Sequence, residues 1–448
     1  MRISVRGLSV PSLLRENKEF RAFWAGQSIS LFGDQITLLA LPLLAVLLLH
    51  AGAQEMGYLT AAGLVPTLLF ALHAGAWVDR RGRRRQVMIA TDVGRALLLM
   101  TIPVAYAAGW LTVNYLYAVA FLVGTLSVLF MVSYGALFVS IVPRDRYVEG
   151  NAILNGSRAL SFVGGPSLGG LLVQMFSAPF ALAADALSFL ASAFFLGRIS
   201  PAEPPTEEGG RGQVAAGARF IMQSPIIRAS LAAGATFNFF NFMFSALFVL
   251  YATRVLGVQP AMLGAVLGAG AVGAVFGSTI TGWLGRRIGI GPTCILGCAL
   301  FPLPLVLVPA AAGPALMVLA FLFAARFGSG LGVMVLDISM GSIFAAIIPH
   351  RLRSRVSGAF TVVNYGVRPL GSLAGGALGN AIGLRPTLWI ATVGAIAGFL
   401  WLLPSPLPRL KTLDGPGDDA RPRGLPGDVT TESAGLAGTA VGDPIGPV

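Results

Sequence analysis

The chain has 448 residues, of which 55% are hydrophobic and only 11% are charged, and its mean hydropathy is +0.77. Soluble domains carry about 25% charged residues and disordered chains have low hydrophobicity, so this composition excludes both classes. The net charge of +12 is spread over short basic clusters between apolar runs, whereas a nucleic-acid-binding domain gathers such charge in one patch. The sequence therefore predicts an all-α membrane protein that crosses the bilayer many times and binds no nucleic acid.

Twelve apolar runs long enough to cross a bilayer follow one another along the chain. The gaps between them are short, except for a polar stretch rich in Pro, Glu and Gly after the sixth run, which reads as a linker. The predicted spans cover residues 22–49, 57–78, 87–108, 113–136, 152–174, 178–197, 228–251, 260–284, 291–311, 314–337, 357–380 and 384–404.

Basic residues indicate how these spans are oriented. They concentrate before the first span and in every second loop after it, while the loops between hold only Arg254 and Arg385. Short loops rich in Arg and Lys stay in the cytoplasm. We therefore expect a multi-pass protein of the bacterial inner membrane with both termini cytoplasmic, which agrees with an even number of spans.

The two halves of the chain repeat each other. The sequence GAWVDRRG from Gly75 to Gly82 recurs 207 residues later as GWLGRRIG from Gly282 to Gly289. Two matched six-span bundles are typical of transporters, whose site lies near mid-membrane where the bundles face each other. The predicted segments are an N-terminal segment at 1–21, a first bundle at 22–197, a linker with an amphipathic piece at 198–227, a second bundle at 228–404 and a disordered tail at 405–448.

The loop after the second span resembles the signature of the major facilitator superfamily, which is Gly, three residues, Asp, Arg, one residue, Gly and then basic residues. A Gly-Pro motif in the fifth span is similar to that of the antiporter members, with Ser161 where the motif usually has an earlier Gly. The stretch from about 15 to 404 resembles the drug:proton antiporter branch that includes macrolide-efflux proteins and the enterobactin exporter. The motif residues are Gly75, Asp79, Arg80, Gly82, Arg83 and Arg84 in the loop and Gly165, Pro166, Gly169 and Gly170 in the fifth span.

The resemblance implies a fold of two pseudo-symmetric six-helix bundles and export of a small amphipathic, drug-like compound in exchange for protons by alternating access. It also implies that Asp79 contacts the N-terminus of the eleventh helix when the cytoplasmic side is shut. A carboxylate at a helix N-terminus is favourable by about 0.3–1 kcal/mol, so this latch would favour the outward-open state. Plain anchoring of the basic loop on the cytoplasmic side is the alternative, and the glycines of the fifth span have a packing explanation as well as a hinge one.

Asp34 is the strongest candidate for proton coupling. It lies near the middle of the first span, and ionisable groups inside the bilayer cost about 2.5–3.5 kcal/mol on insertion scales, so each needs a reason. The equivalent position of the second half holds Asn241, an uncharged near-isostere. We interpret Asp34 as a proton-coupling or substrate-facing carboxylate. The alternative is a static partner for an Arg or for polar neighbours.

Other polar residues of the spans supply further candidates. Related drug exporters carry an Arg in the fourth span, but this chain has no Arg or Lys between residues 96 and 143, so Arg95 or Arg158 would have to take its place. Asp92 and Arg95 are three residues apart, within ion-pair reach, and are predicted to form a structural or gating pair in the cytoplasmic third. Asp185 is interpreted as structural. The candidates for the substrate cavity, from amide, aromatic-flanked and basic positions, are Asn238, Asn241, Arg326, Asn364 and Arg368.

No enzymatic or cofactor-dependent function is expected. The chain has no GxxxxGK[ST] motif for ATP, its three histidines are scattered, and its two cysteines, Cys294 and Cys298, are too few for a metal site. The predicted partners are a small molecule, protons and the lipid bilayer, with the protein acting as a monomer. Alternatives are export of a siderophore or a lipid-like native metabolite, and, from another class, a non-transporting membrane sensor or a membrane enzyme.

Overall fold

The computed structural model describes residues 11–200, 214–349 and 352–412, apart from the side chains of residues 72, 76, 79, 214–218 and 354. Within these ranges all regular structure is helical. Among the described residues, ten helices are long and apolar enough to cross a membrane. Two further helices, Ala53–Arg81 and Arg353–Ile382, are 29 and 30 residues long and occupy the positions of the second and eleventh predicted spans. The prediction of an all-helical, polytopic membrane fold is confirmed.

The long helices, numbered in chain order, extend beyond most of the predicted spans on the side that carries the basic loops, because their last or first turns hold polar and basic residues. Their bounds are α1 Lys18–Leu47, α2 Ala53–Arg81, α3 Arg84–Ala107, α4 Val113–Ile141, α5 Tyr147–Phe176, α6 Ala178–Gly197, α7 Pro225–Arg254, α8 Pro260–Ile288, α9 Ile290–Ala310, α10 Ala315–Ile347, α11 Arg353–Ile382 and α12 Leu384–Trp401.

Local chemistry fixes several helix ends. The Asn17 side chain accepts a hydrogen bond from the backbone of Phe20 and so caps α1. Gly82 ends α2 with φ of 59°, a left-handed conformation that residues with a Cβ rarely adopt. The second glycine of the loop motif is therefore required by the backbone, which must turn directly from α2 into α3.

The linker and the tail are partly ordered. The predicted amphipathic piece forms the helix Val214–Gln223, and its Phe220 and Ile221 are buried against residues at the start of α7 and α11. The tail was expected to be disordered from residue 405, but Leu407 is buried and the backbone N–H of Gly291 donates to the carbonyl of Leu410 at 2.8 Å. Residues 407–411 are therefore packed against the start of α9. Residues 413–448 lie outside the described residues.

The helices form two bundles, α1–α6 and α7–α12, which contact each other mainly through α5 on α8 and α2 on α11. We call the end of the protein that carries the loops after α2, α4, α8 and α10 the basic end, and the opposite end the far end. At the far end a Cβ on Gly170 would lie 2.2 Å from the carbonyl oxygen of Pro260, and one on Gly264 equally close to that of Pro166. The two bundles are therefore in backbone contact at the far end.

The basic end is arranged differently. A Cβ added at Gly75, Gly156 or Gly358 would meet nothing within 4 Å, although these glycines lie on the same interface helices α2, α5 and α11. The described residues thus show the bundles pressed together at the far end and apart, at these positions, at the basic end.

Candidate functional site

The first bundle holds a cavity of about 360 Å³ with a charged wall. Asp34 of α1, Arg95 of α3 and Arg158 of α5 all line it. The Asp34 side chain is 44% exposed, and its Oδ1 lies 3.9 Å from Nη1 of Arg95. Asp34 therefore faces a cavity between helices with a guanidinium beside it.

Arg95 is the centre of this charged group. Its buried guanidinium forms an ion pair with buried Asp92 and is held between two rings, 4.0 Å from the centroid of Phe189 and 4.5 Å from that of Phe130. Arg95 is the twelfth of the 24 residues of α3, so the pair lies at mid-helix and not in the predicted cytoplasmic third. Of the two candidates to replace the Arg of the fourth span, Arg95 and Arg158, Arg95 is thus the one that lies beside Asp34.

Asp185 of α6 belongs to the same group, which sequence reasoning missed. Its carboxylate is fully buried and accepts hydrogen bonds from Ser188 at 2.8 Å and from Thr37. A Cβ on Gly33 would lie 2.1 Å from its Oδ1, so the glycine beside Asp34 makes room for this carboxylate. Asp185 therefore lies against the residue that precedes Asp34 in α1. One signal was present: Asp185, Ser188 and Ser192 share one face of an apolar helix.

Removal of the Arg95 guanidinium should destabilise the protein strongly. We expect Arg95→Gln to lower the free energy of unfolding by about 3–5 kcal/mol, because it leaves Asp92 buried without its cation. The double variant Arg95→Gln with Asp92→Asn should recover much of this loss. Denaturant unfolding of the purified protein in detergent measures both, with Arg287→Gln, an exposed arginine of α8, as the matched control. Equal stability of the single and double variants would contradict the ion-pair role.

The second bundle holds a larger cavity of about 500 Å³ between α7, α9, α10 and α11. Four of the five predicted cavity residues line it, namely Asn238, Asn241, Asn364 and Arg368. Arg326, the fifth, is not among its lining residues. The Arg326 guanidinium lies 4.0 Å from the centroid of the Phe248 ring, and its Nε has no hydrogen-bond partner in the described part of the chain.

A chain of hydrogen bonds fixes the polar wall of this second cavity. Nε of Arg368 donates to Oδ1 of Asn238 at 2.9 Å, and Nδ2 of Asn238 donates to Oδ1 of Asn364 at 3.1 Å. The Arg368 guanidinium also stacks on Tyr365, 3.9 Å from the ring centroid. Asp337, which was not among the predicted cavity residues, lies exposed in the same wall. The cavity thus combines rings, amides and charges of both signs.

The repeat relates the two cavities. Asp34 lines the first and Asn241, its counterpart in the second half, lines the second. The Gly-Pro motif of α5 packs on α1: a Cβ on Gly165 would be 2.5 Å from that of Gln35, and one on Gly169 would be 3.0 Å from the Cα of Ile36. Gly165 and Gly169 therefore fit α5 to α1, whereas Gly170 faces the other bundle. The Asp79 side chain, on which the predicted latch depends, lies outside the described residues.

Comparison with known proteins agrees with this architecture. The chain is 26% identical over 389 residues to an uncharacterized MFS-type transporter, YfiS, of Bacillus subtilis (strain 168), covering 83% of this chain and 89% of the relative. It is 27% identical over 412 residues to the multidrug efflux pump Tap of Mycolicibacterium fortuitum, covering 85% of this chain and 94% of that protein.

Solved structures show the same fold. A bacterial homologue of the iron transporter ferroportin, in an inward-facing state, superposes with a TM-score of 0.72 at 17% identity, covering 88% of this chain and 99% of that one. The nucleoside transporter NupG gives a TM-score of 0.69 at 12% identity, covering 86% of this chain and 99% of its own. The family model described as the Major Facilitator Superfamily matches residues 23–371. With two helical bundles, a cavity in each and a family match over most of its length, the chain belongs to the major facilitator superfamily and is a membrane transporter, not an enzyme.

Proposed function

We propose that this transporter is a secondary active exporter that moves a small amphipathic compound out of the cell in exchange for protons. The observation that carries the proposal is the position of Asp34, whose partly exposed carboxylate lines the first cavity together with two guanidinium groups. The second, larger cavity has the rings, amides and charges that an amphipathic compound requires. The similarity to a protein named as a multidrug efflux pump supports export as the direction.

The orientation follows from the charge of the loops. The basic end carries arginines in every loop that we assign to the cytoplasm, in line with the tendency of basic loops to remain there. The arrangement with the far end shut then corresponds to an inward-open state, in which the substrate cavity can fill from the cytoplasm. Rocking of the two bundles about their interface would open the far end and release the compound outside.

The charge balance of the first bundle supports proton exchange. Arg95 pairs with Asp92 and lies beside Asp34. Asp185 lies against Gly33, the neighbour of Asp34 in the chain, and Arg158 supplies a second guanidinium at the cavity. Two cations can balance two carboxylates, and uncompensated charge inside a membrane protein is costly. The third carboxylate therefore calls for a proton or a cationic group of the cargo. Asp34 is the group best placed to exchange it, because it alone of the three is open to the cavity.

The predicted latch fits the same cycle. Helices α2 and α11 pack on each other at the far end, where a Cβ on Gly57 would lie 2.8 Å from the Cα of Gly376. Since the two helices run in opposite directions, the end of α2 that holds Asp79 lies towards the N-terminal end of α11. Closure of the basic end would bring the carboxylate to that helix terminus, where the helix dipole favours it, and so stabilise the outward-open state.

Accumulation of a panel of amphipathic compounds, in cells with and without the protein, tests the proposal. At least one compound should accumulate less in cells that make the protein, and a protonophore should remove the difference. An ATP-depleting treatment that leaves the proton gradient intact serves as the control and should not remove it. Accumulation that is the same in both kinds of cell, for every compound, would contradict export.

A further inference from the structure

We propose that the cavity of the second bundle selects amphipathic compounds that are zwitterionic, with Arg368 binding an acidic group and Asp337 a basic one. This inference rests on the proposed function and gives it a substrate class. Two side chains of opposite charge, Arg368 and Asp337, line this cavity and form no ion pair with each other.

Arg368 is built as a receptor for an anion. Its Nε is occupied by Asn238, and its planar face lies between Tyr365 at 3.9 Å and Phe242 at 5.1 Å, measured to the ring centroids. Nη1 and Nη2 make no hydrogen bond to the described residues and belong to a side chain that lines the cavity. Two fixed parallel donors match a carboxylate or a phosphate, and preorganisation reduces the entropy lost on binding.

Asp337 provides the opposite charge. It is exposed in the wall of the same cavity, and among the described residues it forms no ion pair within 4.0 Å, with Arg368 or with any other cation. A carboxylate inside a membrane bundle is expensive unless water or a cation meets it. An ammonium or other cationic group of a bound compound would meet it here, while the acidic group of the same compound meets Arg368.

The rest of the lining provides for an apolar body. Phe237, Phe301, Phe344 and Phe360 contribute rings to the wall, and about 500 Å³ falls within the usual range of about 300–1,000 Å³ for sites that hold drug-sized molecules. In the first cavity Arg95 is already paired with Asp92, and the other guanidinium of the lining, that of Arg158, shares the cavity with Asp34, the carboxylate that we assign to proton exchange. Discrimination by charge is therefore assigned to the second bundle.

Binding of two matched dyes tests the inference. Rhodamine B carries a carboxylate on the phenyl ring attached to its cationic xanthene, and in its ethyl ester this carboxylate is replaced by an uncharged ester group. Fluorescence polarisation with the purified protein in detergent, without any gradient, should show rhodamine B binding about tenfold or more tightly than the ester, as expected for a charge-assisted bidentate contact. In Arg368→Gln this preference should fall to about onefold. The ester has no carboxylate for Arg368 to bind, so the Arg368→Gln variant should still bind it. Retained binding of the ester shows that the variant is folded.

Asp337→Asn should weaken the binding of both dyes, since both are cationic, and leave the ratio of their affinities unchanged. Arg287→Gln, on the same bundle but not in the cavity lining, should change neither. Three results would overturn the inference. They are equally tight binding of both dyes by the wild-type protein, binding of neither dye, and a preference for rhodamine B that the Arg368→Gln variant keeps. A preserved preference in a protein that fails to export against a gradient would instead contradict only the proposed function.

Discussion

Replacing Asp34 with asparagine is expected to abolish proton-driven export and to leave the amount of folded protein unchanged. The amide cannot carry a proton in and out, but it has nearly the same shape, and the repeat places Asn241 at the equivalent position of the other bundle. Arg95 keeps its buried partner Asp92 in this variant, so the loss of the 3.9 Å contact with Asp34 leaves the guanidinium paired. Uptake into proteoliposomes under an imposed pH gradient should fall to the rate of protein-free liposomes.

The matched control is Asp145→Asn. Asp145 is exposed in the short turn between α4 and α5, so its loss removes one acid of the same bundle without touching the cavity, and uptake should stay at the wild-type rate. Gradient-driven uptake by Asp34→Asn at the wild-type rate would exclude Asp34 from the coupling mechanism. Loss of folded protein in that variant would instead assign the residue a structural role.

Gly170→Val is expected to prevent the far end from closing and so to shift the protein away from the described arrangement. The new Cβ would lie 2.2 Å from the carbonyl oxygen of Pro260 and 3.1 Å from the Cα of Ala261, and backbone atoms of a neighbouring helix cannot rotate aside. Overpacking of this kind costs about 1–3 kcal/mol. Since about 1.4 kcal/mol corresponds to a factor of ten, the population with the far end shut should fall by about 5- to 140-fold relative to the open one.

A cysteine at Thr361 reports this shift. Thr361 is exposed and lines the second cavity on α11, and Cys294 and Cys298 can be replaced by alanine in the background. A membrane-impermeant maleimide added from the basic side, in everted vesicles, should label Thr361→Cys more slowly in the Gly170→Val variant. Gly156→Val is the matched control, because Gly156 lies on the same helix and a Cβ added there would meet nothing within 4 Å. Thr361→Cys should be labelled in this variant at the same rate as in the protein without either glycine substitution. Unchanged labelling in Gly170→Val would show that this contact does not control access.

The sequence was sufficient for the all-helical, membrane-spanning fold because each span is a local property of about twenty consecutive residues. The contacts between spans depend on how far each helix is rotated about its axis, which one sequence does not determine. The ion pair of Asp92 and Arg95 was therefore predictable from its spacing of three, whereas the approach of Arg95 to Asp34 was not. The same uncertainty explains why Arg326 was expected in the cavity and lies over Phe248 instead.

The repeat supplied information that spacing alone lacked. It identified Asn241 as the counterpart of Asp34, and both residues line cavities. The resemblance to the antiporter motif drew attention to the glycines of α5, whose neighbours in α1 and α8 became clear only from the packing. The packing of residues 407–411 was not predictable from the sequence. It depends on a 2.8 Å backbone hydrogen bond between Gly291 and Leu410, which are far apart in the sequence.

The most direct test of proton exchange is to record the internal pH of proteoliposomes while an exported compound moves down its own concentration gradient. With no pH gradient imposed, wild-type protein should move protons in the direction opposite to the compound, and Asp34→Asn should move none. Transport of the compound by wild-type protein without proton movement, or with protons moving in the same direction, would contradict the account.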